Sequence, residues 1–136
     1  MNVADLPFNR HLGLVVGPDG QVTLPVSAIH HNHLGTVHAS ALYAVAEACS
    51  GEWIIRHLAT ALPDALAVTR SGTIQYKKPA LSALTATVTT TSTSAAEVVQ
   101  RVTERGMGRV TLDIEIACDG IVAATATFDW VIQRGK

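Results

Sequence analysis

Between Asn32 and Gly51 the sequence NHLGTVHASALYAVAEACSG sets a short polar turn directly before a long, nearly all-apolar run. Glu47 is the one carboxylate in that stretch. An ionised carboxylate loses its hydration when buried among Ala, Val and Leu, and chemistry is the most economical reason to keep one there. It would act as a general base or a nucleophile. The turn supplies the complementary group. At a helix start near His38 and Ala39, backbone N–H groups lack intrahelical acceptors and the helix dipole adds positive potential. Such groups bind an oxyanion or polarise a carbonyl. The small side chains of Ala39, Ser40 and Ala41 let a carbonyl approach, and Asn32 can add an amide donor or orient a water.

Spacing decides how these groups can meet. Ala39 and Glu47 are eight residues apart, about 12 Å along a helix rising about 1.5 Å per residue. They also differ by roughly 80° around the axis, so one acyl carbonyl does not touch both within one chain. Two such helices paired antiparallel across a two-fold axis bring Glu47 of one to the helix start of the other. The expectation is a homodimer with a composite site formed twice.

The elements that must position these groups follow from periodicity. The helix spans about His38 to Leu58, with Thr36 as its expected N-cap. Leu42, Val45, Ala46, Cys49 and Trp53 fall on one side, and Ser40, Ala44, Glu47, Gly51, Ile54 and Leu58 on the other. A helix apolar nearly all round is buried on several sides. One side packs on the chain's own sheet, and a partner subunit is the candidate cover for the other. Before the helix, residues 6–11 suggest a brief helical turn. Leu12–Val16 and Val22–Ser27 flank Gly17-Pro18-Asp19-Gly20 as a hairpin, and His30–Gly35 reads as a loop. After Pro63 the period becomes two. Val68, Ile74 and Tyr76 share a parity; Leu84, Ala86 and Val88 alternate with threonines; Val110 to Ile116 and Val122 to Ile132 alternate around Asp119-Gly120. These are strands with one face on a core. Ser94 to Glu97 is a capping box opening a short helix to about Arg105, stopped by Gly106. The sum is an α+β arrangement, one long helix wrapped by a curved antiparallel sheet, in a single domain covering residues 1–136.

Composition bounds the function. Hydrophobic residues make up 48% of the 136 and charged residues 15%, which describes a folded globular chain rather than a disordered one. A net charge of −1 argues against a nucleic-acid or anionic-membrane partner. No apolar run reaches the roughly 20 residues of a membrane span, and MNVADLPFNRH lacks the regions of a signal peptide. Cys49 and Cys118 do not suggest a disulfide framework, so a cytoplasmic location is expected.

Asn32, Gly35, His38-Ala39-Ser40 and Glu47 together resemble the motif of hotdog-fold acyl-CoA thioesterases, specifically the phenylacetyl-CoA thioesterase-like branch. That branch reads Asn or Gln, a Gly, His-Gly-Gly, then Glu or Asp on the helix. The resemblance covers most of the chain, including Tyr76-Lys77-Lys78-Pro79. It implies that the Ala39 N–H polarises a thioester carbonyl, that Glu47 attacks it or activates water, and that Asn32 helps hold the carbonyl or the water. It also implies that His38 shapes the loop, and that dimers pair further into tetramers. His-Ala-Ser stands where the branch often has His-Gly-Gly; Ala39 keeps its N–H, but its Cβ narrows the approach and disfavours positive φ.

Each residue has a plainer reading. Glu47 can pair with a partner-chain Arg or a hydroxyl. Asn32 can simply be a turn residue. His38 fits loop ordering better than acid or base work. His30, His31, His33 and His38 invite a metal, but without nearby thiolates, and with the helical carboxylate turns away, none is expected. No cofactor is expected either, coenzyme A being part of the substrate. Lys77 and Lys78, or Arg105 and Arg109, can grip coenzyme A phosphates or be solvated strand ends. The candidate catalytic set is Glu47, Asn32, Ala39 and His38; the candidate substrate-binding set is Gly35, Ser40, Gly51, Lys77 and Lys78. The leading expectation is an acyl-CoA thioester hydrolase. A non-catalytic acyl-CoA binder and a hotdog dehydratase, which needs His38 facing the substrate, are the alternatives.

Overall fold

The computed structural model describes residues Met1–Lys136. A 3-10 turn (Val3–Asp5) and a short helix α1 (Pro7–Leu12) precede the hairpin β1 (Val15–Val16) and β2 (Val22–Leu24). The long helix α2 (Ala39–Leu58) follows. Strands β3 (Leu66–Tyr76) and β4 (Leu84–Thr91), helix α3 (Ala95–Arg105), and strands β5 (Met107–Cys118) and β6 (Ile121–Gln133) complete the chain. The six strands form one antiparallel sheet in the order β1-β2-β4-β5-β6-β3. It curls around α2, the arrangement of the hotdog fold. Leu84, Ala86, Val110, Leu112, Ile114, Ile116, Phe128 and Ile132 are buried on its inner face against Leu42, Val45, Ala46 and Cys49. Each fully buried Leu, Ile, Val or Phe contributes about 1.5–3 kcal/mol, so the alternation fixes which face meets the helix.

Several local expectations hold. Ser94 accepts the Glu97 N–H at the start of α3, half of the expected capping box, while the Glu97 carboxylate takes the Thr93 hydroxyl instead; Gly106 ends that helix in the left-handed region at φ 84°. Asp119 (φ 52°) and Gly120 (φ 75°) make the β5–β6 turn. Three details correct the sequence reading. Thr36 does not cap α2: His38 does, its Nδ1 accepting the Ser40 N–H at 3.0 Å. The shared parity of Val68, Ile74 and Tyr76 is broken by a bulge between Thr69 and Ser71. One extra residue flips every later side chain to the other face. Val68 therefore pairs with Val131 on the outer face, while Ile74 pairs with Ala126 on the inner face.

The third correction concerns the cover of α2. The chain itself seals the second half of the helix. Val3 of the N-terminal turn sits over Gly51, where an added Cβ would lie 3.3 Å from Val3 Cγ1 and 3.6 Å from the Trp130 ring. Ser50 accepts the Trp130 indole N–H at 2.9 Å and donates to the Glu47 carbonyl at 2.7 Å. Ser40, Ala44 and Glu47, in the first half, stay exposed or half-buried.

Candidate active site at the start of the central helix

The loop before α2 is built on Asn32. Its backbone N–H donates to the Thr36 carbonyl at 2.8 Å. Its Oδ1 accepts the N–H groups of Leu34 and Thr36, and its Nδ2 donates to the Thr36 hydroxyl at 2.8 Å. This is the side-chain-built turn to which Asn is suited. Gly35 supplies the φ of +75° that closes it. Val37 N–H then donates to the Ala80 carbonyl and His38 N–H to the His30 carbonyl, at 2.8 and 2.7 Å. The loop is thereby tied to the segment after β3 and delivers the chain into α2.

At the helix start the N–H groups divide. His38 N–H is taken by His30, which corrects the expectation that it is free. Ser40 N–H goes to the His38 ring and Ala41 N–H to the His38 carbonyl. Ala39 N–H has no acceptor. Ala39 is the first helical residue, with no positive φ, so its Cβ strains no backbone.

Ala39 opens onto a groove of about 300 Å³ shared with Asn32, Thr36, Tyr76, Lys77 and Lys78. The Tyr76 hydroxyl donates to the Ala39 carbonyl at 3.1 Å and pins the helix start to β3. Lys77 and Lys78 both donate their backbone N–H to the Ala123 carbonyl, which fixes the segment against β6. Four of the sequence-derived site residues, Asn32, Ala39, Lys77 and Lys78, therefore meet at one place. Gly35, His38 and Ser40 border it, exposed, without lining it. Arg105 and Arg109 lie in a separate cleft of about 510 Å³ beside α3.

Glu47 and Gly51 are not at this groove. Glu47 is half-buried, its carboxyl pushed above the usual range by desolvation alone. Gly51 is enclosed by Val3 and Trp130. Sequence reasoning missed the one fully buried acid, Glu52, which is 2% exposed and accepts the Val3 N–H at 2.9 Å. It also left Tyr76 out of the site. The signal for Glu52 was its helical position, which faces the same N-terminal turn as Gly51. Burial pushes the Cys49 thiol up to about 12, which disfavours the thiolate that a nucleophile needs. The four histidines of residues 30–38 do not converge with other ligating side chains into a group that could hold a metal. No helix is long and apolar enough to cross a membrane.

The sheet, the central helix and the pocket at its start define the chain as a hotdog-fold protein. It belongs to the family known as Domain of unknown function (DUF4442), which matches residues 15–132. Solved structures share the fold at low identity. A protein of unknown function from Pseudomonas aeruginosa, described as a probable thioesterase, is 20% identical, with 96% of this chain and 90% of that one covered and a TM-score of 0.80. A mutant thioesterase from the same organism is 16% identical, covering 96% and 88%, with a TM-score of 0.69. A Bacillus halodurans protein solved with CoA is 22% identical, covering 89% and 72%, also at 0.69. No curated protein matches the chain.

Proposed function

We propose that this protein hydrolyses acyl-CoA thioesters at a site shared between two copies of the chain. The observation that carries the reading is the unpaired N–H of Ala39, which starts a helix and lines a groove together with two lysines. That amide and the helix dipole polarise the thioester carbonyl, and the small Ala39 side chain lets it approach. Lys77 and Lys78 meet the phosphates of coenzyme A as point charges. Glu47 of the partner subunit takes a proton from water as the water oxygen attacks the carbonyl carbon. The oxyanion forms against the Ala39 N–H. It collapses with cleavage of the C–S bond, and Glu47 returns the proton to the departing thiolate. The products are a carboxylic acid and free CoA. A carboxyl raised by burial is a better base near neutral pH than an ordinary one. The CoA held by the Bacillus halodurans protein of the same fold supports the ligand class.

The second reading is acyl-CoA binding without turnover. It is favoured by the absence of any acid among the residues lining the groove of one chain. A cross of two variants separates the two. Ala39→Pro deletes the critical N–H at the first helical position, where Pro is tolerated, after a His38 already extended at φ −62° and ψ 139°. Each of Ala39→Pro and Glu47→Gln alone should be inactive in thiol release from a panel of acyl-CoAs. Equal co-assembly should restore about a quarter of wild-type activity, because half the dimers then carry one intact site of two. Binding of CoA with no thiol release from any acyl-CoA selects the second reading.

A further inference from the structure

We propose that His30 and His38 are paired positioning residues that hold the start of α2 with its free amide only while both imidazoles are neutral. The inference rests on the helix start being the ligand site. His30 is buried, 5% exposed. Its Nδ1 accepts the Ser27 N–H at 3.0 Å and its Nε2 lies 2.8 Å from the Leu12 carbonyl oxygen. A backbone N–H only donates and a carbonyl only accepts, so these partners assign the neutral Nε2–H tautomer. His38 uses its Nδ1 in the same way, accepting the Ser40 N–H at 3.0 Å. The two residues are joined by the 2.7 Å bond from His38 N–H to the His30 carbonyl.

Protonating either ring puts a hydrogen on Nδ1 where a backbone N–H already points. Donor then faces donor, and the cap at Ser27 or Ser40 is lost. At His30 a charge also enters a buried site. Nothing nearby offsets it. Helix α1, which supplies Leu12, carries Arg10 and His11 in its last turn. The loop adds His31 and His33, and no Asp or Glu occurs from Gly20 to Ala46. The acids of the N-terminal turn and of α2 are placed elsewhere. Asp5 accepts the Asn2 N–H, Glu52 accepts the Val3 N–H, and Glu47 is over two turns beyond His38. The Leu12 carbonyl accepts from Nε2 in either protonation state and does not discriminate. Acid strong enough to protonate the rings therefore releases the loop and the helix start together.

The test is a titration of the full chain from pH 8 to 5.5. Ring nitrogen and Ser27 and Ser40 amide signals are followed by NMR, and dephospho-coenzyme A binding by calorimetry. That probe lacks the 3′-phosphate monoester, which itself titrates in this range. Both rings should be Nε2–H tautomers at pH 8, and each serine amide should shift in step with its ring. The apparent Kd should rise by up to about tenfold per pH unit for each ring that must stay neutral. His30→Asn and His38→Asn supply a non-titrating oxygen acceptor; each should remove one step, and the double variant the whole loss. The proposal is overturned if either ring is the Nδ1–H tautomer at pH 8. Serine amides that stay unmoved while their rings take up a proton, or a double variant as acid-sensitive as wild type, overturn it equally. Should a variant fail to fold, the wild-type titration decides alone. A wild type that binds no probe at any pH, while both amides follow their rings, sinks the ligand reading and leaves the histidine pair standing.

Discussion

Two glutamates five residues apart divide α2 into halves that behave differently. Around Glu52 the helix is sealed: Val3 donates to the carboxylate, Asn9 holds the Val3 carbonyl, and Trp130 and Ser50 close the neighbouring turn. Around Glu47 it is open: Ser40 is exposed, Ala44 and Glu47 are half-buried, and only desolvation acts on the carboxyl. The contrast teaches that depth alone does not decide which acid is left without a partner. The deeper carboxylate accepts a backbone N–H and ties the chain's first residues to the helix. The shallower one is desolvated without compensation inside its own chain, which leaves it available to a substrate or a second copy.

The largest expected effects separate these roles. Glu47→Gln should reduce acyl-CoA turnover by at least about 10²-fold, the lower range for a lost general base, with the fold retained by circular dichroism. Ala39→Pro should cost about 10²–10³-fold, as for other single oxyanion donors. Glu52→Ala should do the reverse. It strands the buried Val3 N–H and leaves a cavity, lowering stability by about 2–4 kcal/mol in denaturant melts. Turnover per folded molecule should be preserved. If Glu52→Ala stops turnover at unchanged stability, the assignment of the two acids is the wrong way round.

The strands, the central helix and both glycine-ended turns were legible because period two and an unbroken apolar run leave few alternatives. The turn before the helix was legible as well, since Asn32 and Gly35 are residues with turn chemistry. What was not legible depends on contacts distant in sequence. Val3 meets Glu52 across 49 residues and Trp130 meets Ser50 across 80. No local pattern announces either pairing, so the second half of α2 read as a face awaiting a partner. The cap at His38 rather than Thr36 was hidden for a different reason. Thr36 is the better capper by type, but Asn32 already holds both its N–H and its hydroxyl.

A smaller effect sharpens the open half. Tyr76→Phe removes one hydrogen bond to the Ala39 carbonyl, a loss of about 0.5–1.5 kcal/mol. Because that bond anchors the helix start and not the core, the change should be seen more in KM for acyl-CoA than in the melting temperature. A melting change without a KM change would place Tyr76 among the purely structural contacts.

The smallest effect bears on the comparison most directly. Burial raises the Glu47 carboxyl above its ordinary value of 4.5, so the folded chain holds that proton more tightly than the unfolded one. Its favourable contribution is complete below about pH 4.5 and is lost as pH rises through the raised value. Glu47→Gln carries no charge to desolvate. It should therefore melt above wild type at pH 7, with the gap closing as the pH falls toward 4.5. Glu52, with a backbone donor of its own, predicts no such gain on amide substitution. A Glu47→Gln protein that melts lower at pH 7 would mean that the carboxylate is compensated in the assembled molecule. The two halves of α2 would then differ only in whose backbone supplies the donor.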